Sequence, residues 1–243
     1  LLAAMELYWS GLSLQQVILW SAVPGLFAVL LLAFGVPNPA PKATRRERLA
    51  PLQWRSLRPQ TRRYLLVLAL FTFARASEAF ILLRGNELEI SVIRLLVLWG
   101  AIAATKSIAA LLGGRLADRM GRAPVMLYGW LVFGISFLLI GQAATPYGLV
   151  ATALVFGLAM GFSEGAERAV IADLATPNEQ GTAFGWYHLM AGLAAIPAGL
   201  MFGGVWHWYG AAWAFGAAGS LALLSAGLLY RWVRIDRVVD SGR

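Results

Sequence analysis

The chain has 243 residues, of which 59% are hydrophobic and 13% charged; it carries a formal net charge of +8 and no cysteine. A soluble domain carries about 25% charged residues, so this composition excludes an ordinary soluble globular surface. The absence of cysteine excludes disulfide frameworks, thiolate nucleophiles and cysteine-ligated metal sites. Because His188 and His207 are the only histidines, we do not expect a histidine-built metal site. We also expect no cofactor.

Seven apolar segments follow along the chain, each near the ~20 residues that cross the hydrocarbon core of a bilayer. They cover approximately residues 14–35, 64–83, 93–113, 123–143, 147–172, 182–204 and 210–232. The apolar runs are continuous and do not alternate with a period of two, which predicts helices and excludes barrel strands. We therefore expect an all-α, polytopic membrane protein with seven transmembrane helices, the last six of which form one bundle over residues 64–232.

Residues 1–35 are predicted to contain an outer segment and the first span. They begin with Leu1 instead of an initiating methionine, and residues 1–13 lack the basic leader and cleavage site of a secretory signal. We expect the chain to be part of a longer protein.

The longest connection, residues 36–63, is a basic linker that begins with three prolines, Pro37, Pro39 and Pro41. Prolines end the first helix and keep the following chain extended. Its second half, Arg45 to Arg63, allows two interpretations. One is an amphipathic helix on the inner leaflet with Leu49, Leu52, Trp54 and Leu57 toward lipid. The other is a flexible tether between two bundles.

The basic residues predict the orientation of the chain in the membrane. Sixteen of them fall on one side of the membrane. They lie in the linker, in the loop after the third span, at Arg168, and in the stretch from Arg231 to Arg243 at the C-terminus. The opposite loops hold only Arg84 and Arg94. The positive-inside rule therefore predicts an N-terminus outside, a C-terminal tail in the cytoplasm, and location in the plasma membrane or bacterial inner membrane. The positive charge then reflects topology, and we expect no nucleic-acid partner.

A glycine- and arginine-rich motif stands between the third and fourth spans. Its residues are Gly114, Arg115, Leu116, Ala117, Asp118, Arg119, Gly121 and Arg122. We expect the two glycines to allow a very short turn with close helix packing, and Asp118 to accept hydrogen bonds near helix ends or to pair with an arginine. The motif resembles the cytoplasmic signature of the major facilitator superfamily, G-x-L-A-D-R-x-G-R-[RK], from which Ala123 departs.

A second stretch, from Glu164 to Gly185, resembles the connection between the tenth and eleventh helices of bacterial members of that superfamily. The resemblance implies that Glu167 and Arg168 contact the signature loop and form with it a cytoplasmic gate. It also implies that the seven spans are helices six to twelve of a twelve-helix transporter. The partners would then be the lipid bilayer, a small-molecule substrate and a missing N-terminal half-bundle.

Five ionisable residues within the spans are candidates for a substrate or proton pathway: Arg75, Glu78, Lys106, Glu164 and His188. Ionisable groups inside a membrane face a cavity or a partner because their burial in lipid is costly. Helical rise places Lys106, Glu164 and His188 in one layer, roughly 9–14 Å from the cytoplasmic ends. A Lys106–Glu164 pair would be either a proton or substrate site or a static packing pair, and His188 either a proton carrier or an interfacial histidine.

Arg75 and Glu78 lie one turn apart on the second span, which predicts local neutralisation by an i,i+3 pair. Arg75 lies near the membrane midplane, where the superfamily binds substrate, and is the leading substrate-facing candidate.

Small residues predict close helix contacts. Gly157, Gly161 and Gly165 recur at four-residue intervals and form a smooth stripe on one helix face. Pro197 frees a backbone carbonyl within its span, which suits either a gate or a plain kink.

The resemblance implies the C-terminal portion of a secondary active transporter, a symporter or antiporter, and not an enzyme. A seven-helix receptor is the alternative, since the helix count and orientation also fit it. A membrane enzyme is disfavoured because the chain lacks clustered nucleophiles, and an ATP-driven pump lacks the G-x-x-x-x-G-K-[ST] motif.

Overall fold

A computed structural model describes residues 53–75 and 78–232 of the protein, together with scattered positions between residues 22 and 35. The predicted first span, residues 36–52 of the linker and the tail over 233–243 lie largely or entirely outside the described residues. Within the described part, six helical segments are long and apolar enough to cross a membrane. The prediction of an all-α, multi-pass membrane fold is confirmed.

Seven helices build these six spans, because the first span consists of two helices. They are α1 (Pro59–Ala74), α2 (Ala79–Glu87), α3 (Val92–Met120), α4 (Arg122–Gln142), α5 (Pro146–Leu174), α6 (Gln180–Tyr209) and α7 (Ala211–Trp232). The short connections make successive spans antiparallel. We call the end that holds the start of α1, the α3–α4 turn and the end of α5 the basic end.

The break in the first span was not expected, since residues 64–83 are predicted as one continuous helix. Arg75 ends α1 with a backbone outside the helical region (φ −82°, ψ 69°), and α2 begins after Glu78. No glycine or proline lies between the two helices, so the sequence does not indicate the break. Its physical reason lies in the tertiary contacts of Arg75 and Glu78, which pair with different neighbouring helices.

The last residues of the linker pack against the bundle. Trp54 lies in a short 3-10 turn and contacts Trp186 of α6 edge-on, with 5.1 Å between ring centroids. Leu57 is 2% exposed. The lipid-facing orientation predicted for Trp54 and Leu57 is therefore wrong, because bundle contacts cover both side chains. Residues 59–63, assigned to the linker from the sequence, belong to α1.

The signature motif lies mostly within α3, which continues to Met120, so that the turn to α4 is the single residue Gly121. Gly121 has φ +90°, a conformation that glycine adopts without a steric penalty. The packing role expected for Gly114 is wrong, because a Cβ there meets open space. Gly113 has that role instead: a Cβ would lie 3.2 Å from the Cα of Phe162 on α5.

Helix α5 packs closely against α3 through the predicted glycine stripe. A Cβ on Gly161 would overlap the backbone carbonyl of Lys106 and lie 2.6 Å from the Cβ of Ala109. A Cβ on Gly157 would lie 3.1 Å from the carbonyl oxygen of Ile102. The stripe is confirmed at these two positions and wrong at Gly165, where an added Cβ meets nothing.

On the other side of the bundle, α1, α6 and α7 surround an apolar groove of about 360 Å³. Leu70, Phe73, Phe202 and Leu221 are among its lining residues. Helix α6 continues through Pro197 as one helix.

We predict that Gly161→Ala destabilises the bundle, whereas Gly165→Ala in the same helix does not. The new methyl group at position 161 has to displace α3 backbone, which costs about 1–3 kcal/mol. Thermal unfolding in detergent, followed by tryptophan fluorescence, measures the difference. Equal melting temperatures for the two variants would contradict the close α3–α5 contact.

Candidate functional site

The charged residues inside the spans meet in one place, which we call the charge cluster: Arg75, Glu78, Lys106, Glu164 and Glu167. Arg75 and Glu78 flank the break between α1 and α2, Lys106 lies in the middle of α3, and the two other glutamates lie on α5. Four of the five are predicted pathway residues. The fifth, Glu167, was predicted at the gate.

Lys106 connects three helical segments. Its Nζ lies 2.5 Å from Glu78 Oε1 and 3.8 Å from Glu164 Oε1. The structure thus places Lys106 beside Glu164, as predicted, but gives it a closer partner in Glu78. All three side chains are partly accessible, with exposed fractions of 24%, 27% and 37% for Lys106, Glu78 and Glu164.

Glu167 is fully buried and connects α5 to α4 and α1. The indole N–H of Trp130 donates to Oε1 at 2.8 Å, and Arg75 lies 3.5 Å from Oε2. The Tyr64 hydroxyl donates to the backbone carbonyl of Glu167 at 2.9 Å. Phe71 stacks on Trp130 with 4.0 Å between centroids, so packing holds the indole in place. A buried carboxylate needs such partners because an unpaired charge in the interior is costly.

The predicted local pair of Arg75 with Glu78 is wrong. Arg75 pairs with Glu167 on α5, and Glu78 pairs with Lys106 on α3. The two residues do not share one continuous helix, so the i,i+3 geometry that would bring their side chains together is absent.

The predicted contact of Glu167 with the signature motif is also wrong, because this side chain faces the interior of the bundle. Asp173, six residues further along α5, makes that contact: its Oδ1 lies 2.5 Å from the guanidinium of Arg122. At the same basic end, the Thr61 hydroxyl donates to the Leu174 carbonyl at 3.1 Å. Arg168 is exposed, as are six signature residues: Gly114, Arg115, Leu116, Asp118, Arg119 and Arg122.

His188 is exposed on α6, and its ring packs edge-on against the neighbouring Tyr187. No ion pair among the described residues includes His188. Tyr187, which is buried, lies within electrostatic range of Arg75 and borders the charge cluster from α6. The predicted layer therefore holds Lys106 and Glu164 in direct contact, without a described bond to His188.

A second set of polar contacts at the opposite end of the bundle was not predicted. Arg84 pairs with Glu87 at 2.7 Å and donates to the carbonyl of Ala143 at 2.9 Å. The indole N–H of Trp206 donates to Glu87 at 3.0 Å. These bonds hold α2 against α4 and α6. The contacts of Arg84 with Ala143 and of Trp206 with Glu87 join residues far apart in sequence, so residue spacing offers no signal for them.

The cluster offers carboxylates and cations, which bind ions, protons or polar groups through electrostatics and hydrogen bonds. Among residues 53–75 and 78–232, no group of three or more histidine, aspartate or glutamate side chains forms a candidate metal site.

We predict that Trp130→Phe destabilises the protein by about 1–3 kcal/mol, because it removes the donor to a fully buried carboxylate while keeping an aromatic ring beside Phe71. Trp99→Phe, at a half-exposed position of α3, is the matched control. The free energies of unfolding of both variants measure the effect. A Trp130→Phe protein as stable as the control would show that the indole bond contributes nothing.

Comparisons with known proteins place this geometry in a family. The family model of the Major Facilitator Superfamily matches residues 79–242. An uncharacterised MFS-type transporter of Methanocaldococcus jannaschii is 29% identical over 206 residues, which cover 80% of this chain and 50% of the relative. A puromycin resistance protein of Streptomyces alboniger is 37% identical over 136 residues, covering 53% of this chain and 26% of the relative. The chain thus spans half or less of the length of these relatives.

Two solved structures share the fold. The human organic anion transporter MFSD10 superposes with a TM-score of 0.64 at 23% identity, over 70% of this chain and 40% of that chain. The POT family transporter PepTSo superposes with a TM-score of 0.61 at 17% identity, over 71% of this chain and 37% of that chain. The family model covers more than half of the chain, and the fold agrees with it. The chain belongs to the Major Facilitator Superfamily of membrane transport proteins, as its signature motif indicates.

Proposed function

We propose that this chain is the C-terminal portion of a secondary active transporter, helices six to twelve, which moves a small solute by alternating access. The charge cluster is the observation that carries the proposal: five ionisable residues from three spans meet inside the membrane-spanning region of a family member. Intramembrane charges mark ion and substrate pathways in transporters. The family membership disfavours the alternative of a seven-helix receptor.

The break between α1 and α2 supports this location for the site. Discontinuous transmembrane helices form substrate and ion sites in many transporters, because their ends present unpaired backbone groups near the midplane. Here the break carries Arg75 and Glu78, both members of the charge cluster. Coupling to an ion gradient, by symport or antiport, then passes through these groups. The puromycin resistance of one relative supports a small organic molecule as the solute.

We infer that a missing N-terminal half-bundle covers α3 and α6. These two spans have the smallest buried share of the six. On α3, Leu111 is 76% exposed, and on α6 Ile196 and Leu200 are each 72% exposed. Lipid covers apolar side chains equally well, but a transporter that rocks two bundles about a central site needs helices of this kind between them.

The basic end is proposed to face the cytoplasm, with the C-terminal tail on that side and the protein in the plasma or bacterial inner membrane. In this orientation the Arg122–Asp173 pair lies at the cytoplasmic gate together with the signature motif. Asp118, Arg119 and Arg168 remain proposed members of the gate region, whereas Arg122 and Asp173 form the ion pair between α4 and α5.

We predict that Asp173→Asn opens the cytoplasmic gate of the complete protein more than Asp118→Asn does. Asp173 pairs with Arg122, whereas Asp118 forms no ion pair among the described residues. The chain contains no cysteine, so single cysteines introduced near the gate report access without background from this chain. Their labelling by an impermeant maleimide measures gate opening. Faster labelling in Asp118→Asn than in Asp173→Asn would reverse the proposed roles.

We also predict that this chain, reconstituted alone, does not transport, because one wall of the proposed cavity is absent. Solute uptake is compared between proteoliposomes that contain the chain alone and proteoliposomes that contain it together with an N-terminal half-bundle. Gradient-driven solute uptake by the chain alone would contradict the proposal that a second bundle completes the site.

A further inference from the structure

The three carboxylates of the charge cluster differ in how fully their charge is compensated. Glu78 lies 2.5 Å from Lys106. Glu167 is buried and receives both Trp130 and Arg75. Among the described residues, Glu164 has one ion-pair contact, the longer 3.8 Å approach of Lys106, which also pairs with Glu78 at 2.5 Å. Arg75 acts on Glu164 only at longer range. Glu164 is also the most exposed of the three, at 37% against 27% and 0%.

The cluster carries one more negative charge than positive charge, with three carboxylates against Arg75 and Lys106. Within ion-pair distance, no further cation of the described residues joins the cluster. On α5, Arg168 is exposed, forms no ion pair among the described residues, and acts on Glu167 only through longer-range electrostatics. On α6, Tyr187 is buried and His188 is exposed. Uncompensated charge within a membrane is costly, so the cluster favours one additional positive charge.

We propose that Glu164 binds the positively charged group of the transported solute, an organic cation such as a protonated amine. The proposal rests on the proposed transport function and names the solute class for its site. A cation bound at Glu164 compensates the negative charge of its carboxylate, and the ion pair between Lys106 and Glu78 stays intact.

An anionic solute fits the same cluster poorly. Among the described residues, Arg75 and Lys106 are the cations within ion-pair distance of the cluster, and each already pairs with a carboxylate. To bind there, an anion has to displace Glu167, which is fully buried, or Glu78, whose bond to Lys106 is short. Each displacement adds a second uncompensated negative charge to a cluster that already has one.

Two probes of nearly identical shape and opposite charge test the proposal: tetraphenylphosphonium and tetraphenylborate. Equilibrium binding to the complete protein in lipid nanodiscs is measured for both probes, with binding to empty nanodiscs subtracted. We expect tetraphenylphosphonium to bind to the protein more tightly than tetraphenylborate, because the Glu164 carboxylate attracts a cation and repels an anion.

The variant Glu164→Gln is expected to weaken tetraphenylphosphonium binding about tenfold or more, since a charge-assisted contact contributes about that factor. Glu164→Asp keeps the charge and is expected to retain most of the affinity, which guards against a variant that fails to fold. Glu89→Gln, which removes an exposed carboxylate between α2 and α3, is the matched control and should bind as the parent does.

Tighter binding of tetraphenylborate, or unchanged tetraphenylphosphonium affinity in folded Glu164→Gln, would overturn the proposal. Gradient-driven uptake of an anionic solute by the same preparation would refute the solute class while leaving the proposed transport function intact. If the parent protein and Glu164→Asp take up a cationic solute and Glu164→Gln does not, the result would support both the solute class and the proposed transport function.

Discussion

Charges inside a membrane have to be compensated within the protein, and this constraint organises the middle of the described bundle. Glu167 on α5 binds Trp130 of α4 and Arg75 at the end of α1. Lys106 on α3 pairs with Glu78 at the start of α2 and with Glu164 of α5. Helix α5 therefore contributes to both groups of contacts. The break between α1 and α2 lets Arg75 and Glu78, only three residues apart, reach different partners.

Small residues make these electrostatic contacts possible. Gly157 and Gly161 let the backbone of α5 approach that of α3, so the side chains of Lys106 and Glu164 meet across a short gap. The opposite side of the bundle is packed less tightly, since α1, α6 and α7 leave an apolar groove. In the proposed mechanism, the closely packed α3–α5 pair holds the charges in place, while α3 and α6 present apolar faces to the second bundle.

The sequence predicted the features that depend on composition and local pattern. Apolar runs located five continuous spans, and the signature motif indicated the family and a tight glycine turn at Gly121. The residues of the pathway were recognised because charge is rare in membrane spans. The partners of these residues were not predicted correctly, because pairing depends on how each helix is rotated and on the break after Ala74, which no glycine or proline indicates. Glu167 shows the difficulty most clearly: its neighbour Arg168 is exposed, so adjacent residues in one motif face opposite environments.

Compensation of charge within the cluster is tested most directly by a double-mutant cycle on Lys106 and Glu78. The free energies of unfolding of Lys106→Met, Glu78→Gln and the double variant are measured in one detergent. Each single change breaks the short Lys106–Glu78 pair and leaves one of its two charges in place, whereas the double change removes both charges. The account predicts that the double variant is more stable than the two separate losses would give when added, by about 1 kcal/mol or more. Strictly additive losses would show that these charges do not depend on each other, and would contradict the account.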